Sequence, residues 1–137
     1  MRKMLSVAVV GGLLIVGRTP VIAHHAFSSE FDGNKPVEFT GTVTKMEWVN
    51  PHSWIHVDVK KPDGTVENWA IEGGTPNTLL RRGLRKSDLP AGAVIKITGF
   101  QAKDGGLRAN GKDLTFADGR QLFLGSAGTG APYEDKK

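Results

Sequence analysis

The chain has 137 residues, no cysteine, four histidines and a formal net charge of +4. This length fits one small domain, and the absence of cysteine excludes disulfide bonds and metal sites built from thiolates. Three of the cations, Arg2, Lys3 and Arg18, lie in the first 23 residues, so the remainder carries a net charge of only +1. That near-neutral charge argues against a nucleic-acid-binding protein.

The first 23 residues are predicted to be a secretory signal peptide. Arg2 and Lys3 provide the positive start, residues 4–16 are almost all apolar or glycine, and Ala23 is the small residue that signal peptidase requires. The apolar run is shorter than the roughly 20 residues of a membrane span, and an uncleaved anchor is the alternative. Cleavage after Ala23 predicts a periplasmic or secreted protein of 114 residues that begins at His24 and keeps no stable membrane anchor.

The residues that follow predict a polar extension and then three strands. The extension, 24–36, is expected to be irregular and to lie over the domain rather than inside it. From Val37 onwards apolar and polar residues alternate, which predicts the first strand. A second strand is expected from about residue 53 to 60 and a third from about 66 to 72, because Lys61–Gly64 is a strong turn signal.

One short helix is predicted after the third strand. Thr75 suits the N-cap, Pro76 suits the first helical position, and Gly83 suits the end. Leu79 and Leu80 are both expected to face inward. Further strands are expected at 93–100, 107–109, 112–116 and 121–124.

This order of elements predicts an all-β fold with one short helix. Three strands, a helix and then further strands match an OB-like barrel of five or six strands, here expected over residues 37–125. A β-sandwich is the alternative, although a sandwich does not need a helix at that position. Residues 126–137 are rich in glycine and then in charge, so they are expected to form a disordered tail.

All four histidines lie in two short motifs. His24 and His25 would start the cleaved chain, and His52 and His56 lie in the segment Asn50–His56. An N-terminal histidine presents both an α-amine and an imidazole, and such a nitrogen-rich donor set favours Cu(II). His52 and His56 are roughly 13 Å apart on a straight strand, which makes them poor sole partners for one ion. The sequence therefore predicts a site for copper or another divalent metal that joins His24 to His52 or His56, and His25 is a further candidate ligand.

The turn between the second and third strands predicts which side chains meet. Pairing across that turn places Trp54 opposite Glu72, so that Trp54, His56 and Glu72 share the outward face and His52 lies diagonal to Glu72. A register shifted by one residue would separate them. Glu72 is therefore predicted to bind the metal or to orient a histidine that does, and the acidic residues within 24–36 are alternatives for that role.

Each histidine also has an ordinary structural explanation. His24 and His25 are consistent with a flexible polar terminus, His52 with a turn held by backbone hydrogen bonds, and His56 with a surface residue on a strand. A second hypothesis is therefore a metal-free module that uses Trp54 or a barrel loop to hold a periplasmic partner protein or a small ligand.

The sequence indicates no catalytic residue. It contains neither a nucleophile elbow nor a phosphate-binding loop. The basic run at 81–86 is interpreted as a solvated helix end. A redox enzyme that uses copper at the terminus is a third hypothesis, for which the sequence indicates no substrate.

Six motifs occur in order along the chain: His24–Ser28, Glu30–Asp32, Gly41–Val43, Trp48–His52, Trp69–Glu72 and Asp118–Arg120. Their order resembles the exported bacterial family called domain of unknown function 6152. The likeness covers nearly all of the chain after residue 23. It implies export and a small β-rich domain, and it implies no activity and no role for any particular residue.

Overall fold

The computed structural model describes residues 26–134. Within them the chain forms six strands and two short helices, and a 3₁₀ turn, Lys86–Asp88, precedes the fourth strand. The bounds are α1 Ala26–Glu30, β1 Phe31–Glu47, β2 Trp54–Lys60, β3 Val66–Glu72, α2 Pro76–Arg81, β4 Val94–Ala102, β5 Arg108–Phe116 and β6 Gln121–Phe123. In this part of the chain, no helix has the length and apolar character needed to cross a membrane.

The strands form one sheet in the order β3-β2-β1-β4-β5-β6. Neighbours in this order are antiparallel, and β3 also pairs in parallel with β5 through three residue pairs. That extra pairing joins β1 to β5 into a ring with α2 between β3 and β4, which confirms the expected all-β, OB-like architecture. The ring closes unevenly, because β1 and β4 share eight residue pairs whereas β3 and β5 share three.

The main core follows from the alternation along the strands. In β2, Ile55 and Val57 are fully buried, whereas the intervening side chains are only half-buried. Trp69 in β3 is buried against the same core, as its place on the apolar face predicts. One face of the hairpin therefore stabilises the barrel, and the other is left for polar side chains.

Helix α2 begins where it was predicted to begin, but one of the two leucines expected to face the core does not. The Thr75 hydroxyl accepts a hydrogen bond from the Thr78 backbone N–H at 3.2 Å, and Gly83 takes a φ of 89° just after the helix. Leu79 is fully buried, but Leu80 is 47% exposed, so the expectation that both face inward is wrong for Leu80. Successive helical side chains point in different directions, and so short a helix buries only one stripe.

The N-terminal segment has regular secondary structure from residue 26, whereas an irregular extension was expected over 24–36. α1 occupies its first described residues, and β1 begins at Phe31 rather than at Val37. Phe27 and Phe31 are buried in a second small core, because two phenylalanines supply enough apolar area to hold the segment down. His24 and His25 lie outside the described residues.

Residues 126–134 pack against this second core, although disorder was expected there. Ala131 is fully buried, and the Phe27 backbone N–H donates to the Thr129 carbonyl at 3.2 Å. The Tyr133 ring contacts the Phe100 ring, with the centroids 6.4 Å apart. The two ends of the described chain therefore meet at one side of the barrel.

Candidate functional site

The β2–β3 hairpin has the register predicted from its turn. Trp54 pairs with Glu72, and His56 pairs with Ala70, which confirms that Trp54, His56 and Glu72 share one face. His52 lies just before β2 and follows the cis peptide bond between Asn50 and Pro51. Local alternation and a strong turn are thus enough to place Glu72 beside the Asn-Pro-His segment.

His52 and Glu72 are in direct contact. The His52 Nδ1 atom lies 2.7 Å from Glu72 Oε1, and the two side chains are 30% and 8% exposed. At this separation one of the two atoms must carry a proton, since two unprotonated lone pairs would repel. Among residues 26–134 the other ring nitrogen of His52, Nε2, has no hydrogen-bond or ion-pair partner.

Burial dominates the electrostatics of Glu72. The pKa of Glu72 is raised from 4.5 to about 7, mainly by loss of hydration; the charge of Glu30 contributes to the rise and Arg108 opposes it. Arg108 is itself 3.4 Å from a Glu30 carboxylate oxygen. The pKa of Glu72 therefore lies near neutral pH, and a ring nitrogen of His52 is the atom in contact with this carboxyl group.

A hydrogen bond between distant parts of the chain lies next to this pair, because Asn110 lines the same cavity as His52 and Glu72. Asn110 in β5 is the backbone partner of Glu72 in the parallel seam and is itself buried. The Tyr133 hydroxyl donates to Asn110 Oδ1 at 2.9 Å, and burial raises the pKa of Tyr133. No local sequence pattern indicates Asn110 or Tyr133, because their contact joins residues that are far apart in the chain.

Two small cavities meet at His52. One, of about 190 Å³, is lined by residues of α1 together with His52, Trp54 and Glu72. The other, of about 260 Å³, lies between His52 and the start of α2. Both are smaller than the roughly 300–1,000 Å³ of a typical organic ligand site. They suit an ion or a few water molecules better than a drug-sized ligand.

His56 contacts a different carboxylate, that of Glu47. Its Nε2 atom lies 3.0 Å from Glu47 Oε2, and the Lys45 ammonium contacts the other oxygen of the same carboxylate. The contacts with Lys45 and then with His56 lower the pKa of Glu47 to about 2. The structure therefore brings His52 and Glu72 together and leaves His56 tied to β1.

Within residues 26–134, no three His, Asp or Glu side chains are grouped closely enough to hold a metal ion. The pair His52 and Glu72 supplies at most two of the predicted ligands. His24 and His25, the other predicted ligands, lie outside the described residues.

Comparison with known proteins gives one match. A family model described as a family of unknown function, DUF6152, matches residues 12–111, which is more than half of the chain. No curated protein and no solved structure matches the chain. The matched range includes His52, His56 and Glu72. The chain therefore belongs to the family of unknown function DUF6152.

Proposed function

We propose that this is an exported small binding protein that holds Cu(II), or another divalent metal, between His24 at its cleaved N-terminus and His52. The observation that carries the proposal is the 2.7 Å contact between His52 Nδ1 and Glu72 Oε1. A carboxylate on one nitrogen of a histidine fixes the ring orientation and directs the other nitrogen to a metal. The proposal thus assigns Glu72 to orient His52 and Nε2 to bind the ion.

The position of α1 supports the participation of the terminus. Phe27 and Ser29 line the same cavity as His52. His24 precedes Phe27 by three residues, so an extended chain reaches about 10 Å from Phe27. The terminal amine and imidazole are therefore within reach of His52 once Ala23 has been removed.

The proposed ligands are three nitrogens: the His24 amine, the His24 imidazole and His52 Nε2. Such a set favours Cu(II) over ions that prefer oxygen ligands. His25 is a candidate for an additional position. His56 has no part in this proposal, because it lines neither of the cavities beside His52.

A metal-free module built on Trp54 has weaker support. Trp54 is half-buried in the cavity wall beside His52 rather than displayed on an open surface. A stacking platform for a partner would need a more exposed ring.

Competition titration with Cu(II) tests the proposal directly. The authentic His24 terminus should bind copper tightly, and one additional methionine before His24 should weaken binding because it removes the amine from the chelate. His52→Ala should weaken binding by about tenfold or more, and Glu72→Gln by about 10- to 100-fold. His56→Ala is the matched control and should bind as the parent does. Equal affinity with and without the added methionine would overturn the proposal, and N-terminal sequencing of the exported protein checks the cleavage site.

A further inference from the structure

A groove of about 780 Å³ lies between the end of β1 and the connection from α2 to β4. It shares no lining residue with either cavity beside His52. Met46 and Leu89 are buried and form its floor, together with the half-buried Trp48. At the edge, Leu80 leaves 47% of its surface exposed. The groove therefore combines a recessed apolar floor with an apolar side chain that the fold does not cover.

The charged residues that line this groove are all cations: Lys45, Arg85 and Lys86. Lys45 is contacted by Glu47. Within residues 26–134, neither Arg85 nor Lys86 has an ion-pair partner for its charged group. The wall formed by the α2–β4 connection thus presents two cationic side chains without an ion-pair partner next to apolar surface, while the Asp88 carboxylate accepts a hydrogen bond from the Arg85 backbone N–H at 2.8 Å.

We propose that this groove docks an acidic peptide segment of a partner protein. An apolar side chain of the segment covers Leu80 and Trp48, and flanking carboxylates contact Arg85 and Lys86. Complementary charge of this kind directs encounter and orientation, while the apolar anchor contributes most of the affinity.

Charge argues against one other occupant of the groove, and exposure argues against a second. The remaining parts of this chain, 1–25 and 135–137, are net cationic and would be repelled by it. Insertion into a membrane needs several exposed apolar side chains, whereas Met46 and Leu89 are buried and Leu80 is the one large apolar lining residue that is exposed. An acidic segment with one apolar anchor fits this exposure and the sign of the charge.

The test uses the full exported chain and a fluorescein-labelled peptide in which glutamate alternates with leucine and phenylalanine. Fluorescence anisotropy should show binding, and a peptide with lysine in place of glutamate should not bind. The double substitution R85E/K86E should weaken binding by about tenfold or more and reduce its salt dependence. L80S should also weaken binding. The variant K60E/K112E changes the net charge equally, away from the groove, and should bind as the parent does.

Three results would overturn the proposal. Equal losses in R85E/K86E and K60E/K112E would mean that the peptide responds only to net charge. If the peptide fails to bind, and the protein instead binds phosphatidylglycerol vesicles in a way that R85E/K86E abolishes, the groove would be assigned to a membrane. Self-association in sedimentation experiments that R85E/K86E abolishes would assign it to a second copy of the chain. Circular dichroism of every variant distinguishes a lost contact from a lost fold.

Discussion

Replacing Glu72 with glutamine should remove a pH dependence of folding stability that this buried carboxyl creates. Burial raises the pKa of Glu72 from 4.5 to about 7. As pH rises from about 4.5 to 7, the unfolded chain releases this proton whereas the folded chain retains it. The contribution of Glu72 to stability is therefore greatest at low pH and is lost as pH rises through the folded pKa. Glutamine has nearly the same shape and does not titrate.

The size of the effect follows from the two pKa values. Each pH unit between them corresponds to about 1.4 kcal/mol, so a rise from 4.5 to about 7 gives about 3 kcal/mol. We expect a net change of about 2 to 3 kcal/mol between pH 4 and pH 8.

Urea unfolding at a series of pH values measures this change. Relative to the parent, the free energy of unfolding of Glu72→Gln should rise by about 2 to 3 kcal/mol as pH increases from 4 to 8. Glu38→Gln is the control, since Glu38 is 61% exposed and pairs with Lys96 at the surface. Its difference from the parent should stay constant within about 0.5 kcal/mol. A constant difference for Glu72→Gln as well would refute the assignment of a buried, proton-holding carboxyl.

Three further predictions concern the packing and charges around the barrel. Leu79→Ala should lower the free energy of unfolding by about 3 kcal/mol, because Leu79 is fully buried, whereas Leu80→Ala should change it by no more than about 0.5 kcal/mol. Equal effects in urea unfolding would contradict the assigned helix face. Thr75→Ala should cost about 1 kcal/mol through loss of the cap to the Thr78 N–H, and Thr75→Ser should restore most of it. Similar stability of the two variants in the same assay would show that the cap is unimportant. Lys45→Met should raise the pKa of Glu47 from about 2 towards 4.5, since Lys45 is the main cause of its depression. Side-chain NMR titration measures it, and an unchanged pKa would mean that His56 alone holds the carboxylate.

The parts of the site predicted from sequence are those that depend on local signals. The turn at Lys61–Gly64 and the alternation beside it fix the pairing of Trp54 with Glu72. Once that pairing is known, His52 must lie near Glu72. The helix that follows is likewise predicted from its N-terminal cap and its terminal glycine.

The parts that sequence missed depend on contacts between distant strands. Burial of Glu72 arises from the parallel seam with β5, which brings Asn110 opposite it. The partner of His56 is Glu47, and the register of β1 with β2 shifts at a bulge between Val43 and Lys45. A bulge moves every following side chain relative to its partner strand, and no local pattern indicates where it falls.

The packing of the two ends of the described chain against the second core was also missed, because it depends on contacts between distant residues. Phe27 and Phe31 stand among polar residues, so periodicity alone indicates an irregular segment. Their burial becomes favourable because Ala102 and Ala131 offer apolar surface from far along the chain. Neither partner is close enough in sequence to be predicted as a contact.

Pulsed EPR of the Cu(II) complex tests the central claim most directly, since it counts the histidine rings bound to the ion. The exported protein with an authentic His24 terminus should show two imidazoles on copper, from His24 and His52. His52→Ala should show one, and His56→Ala should still show two. An imidazole count that is unchanged by His52→Ala would contradict a copper site between the N-terminus and the histidine that Glu72 orients.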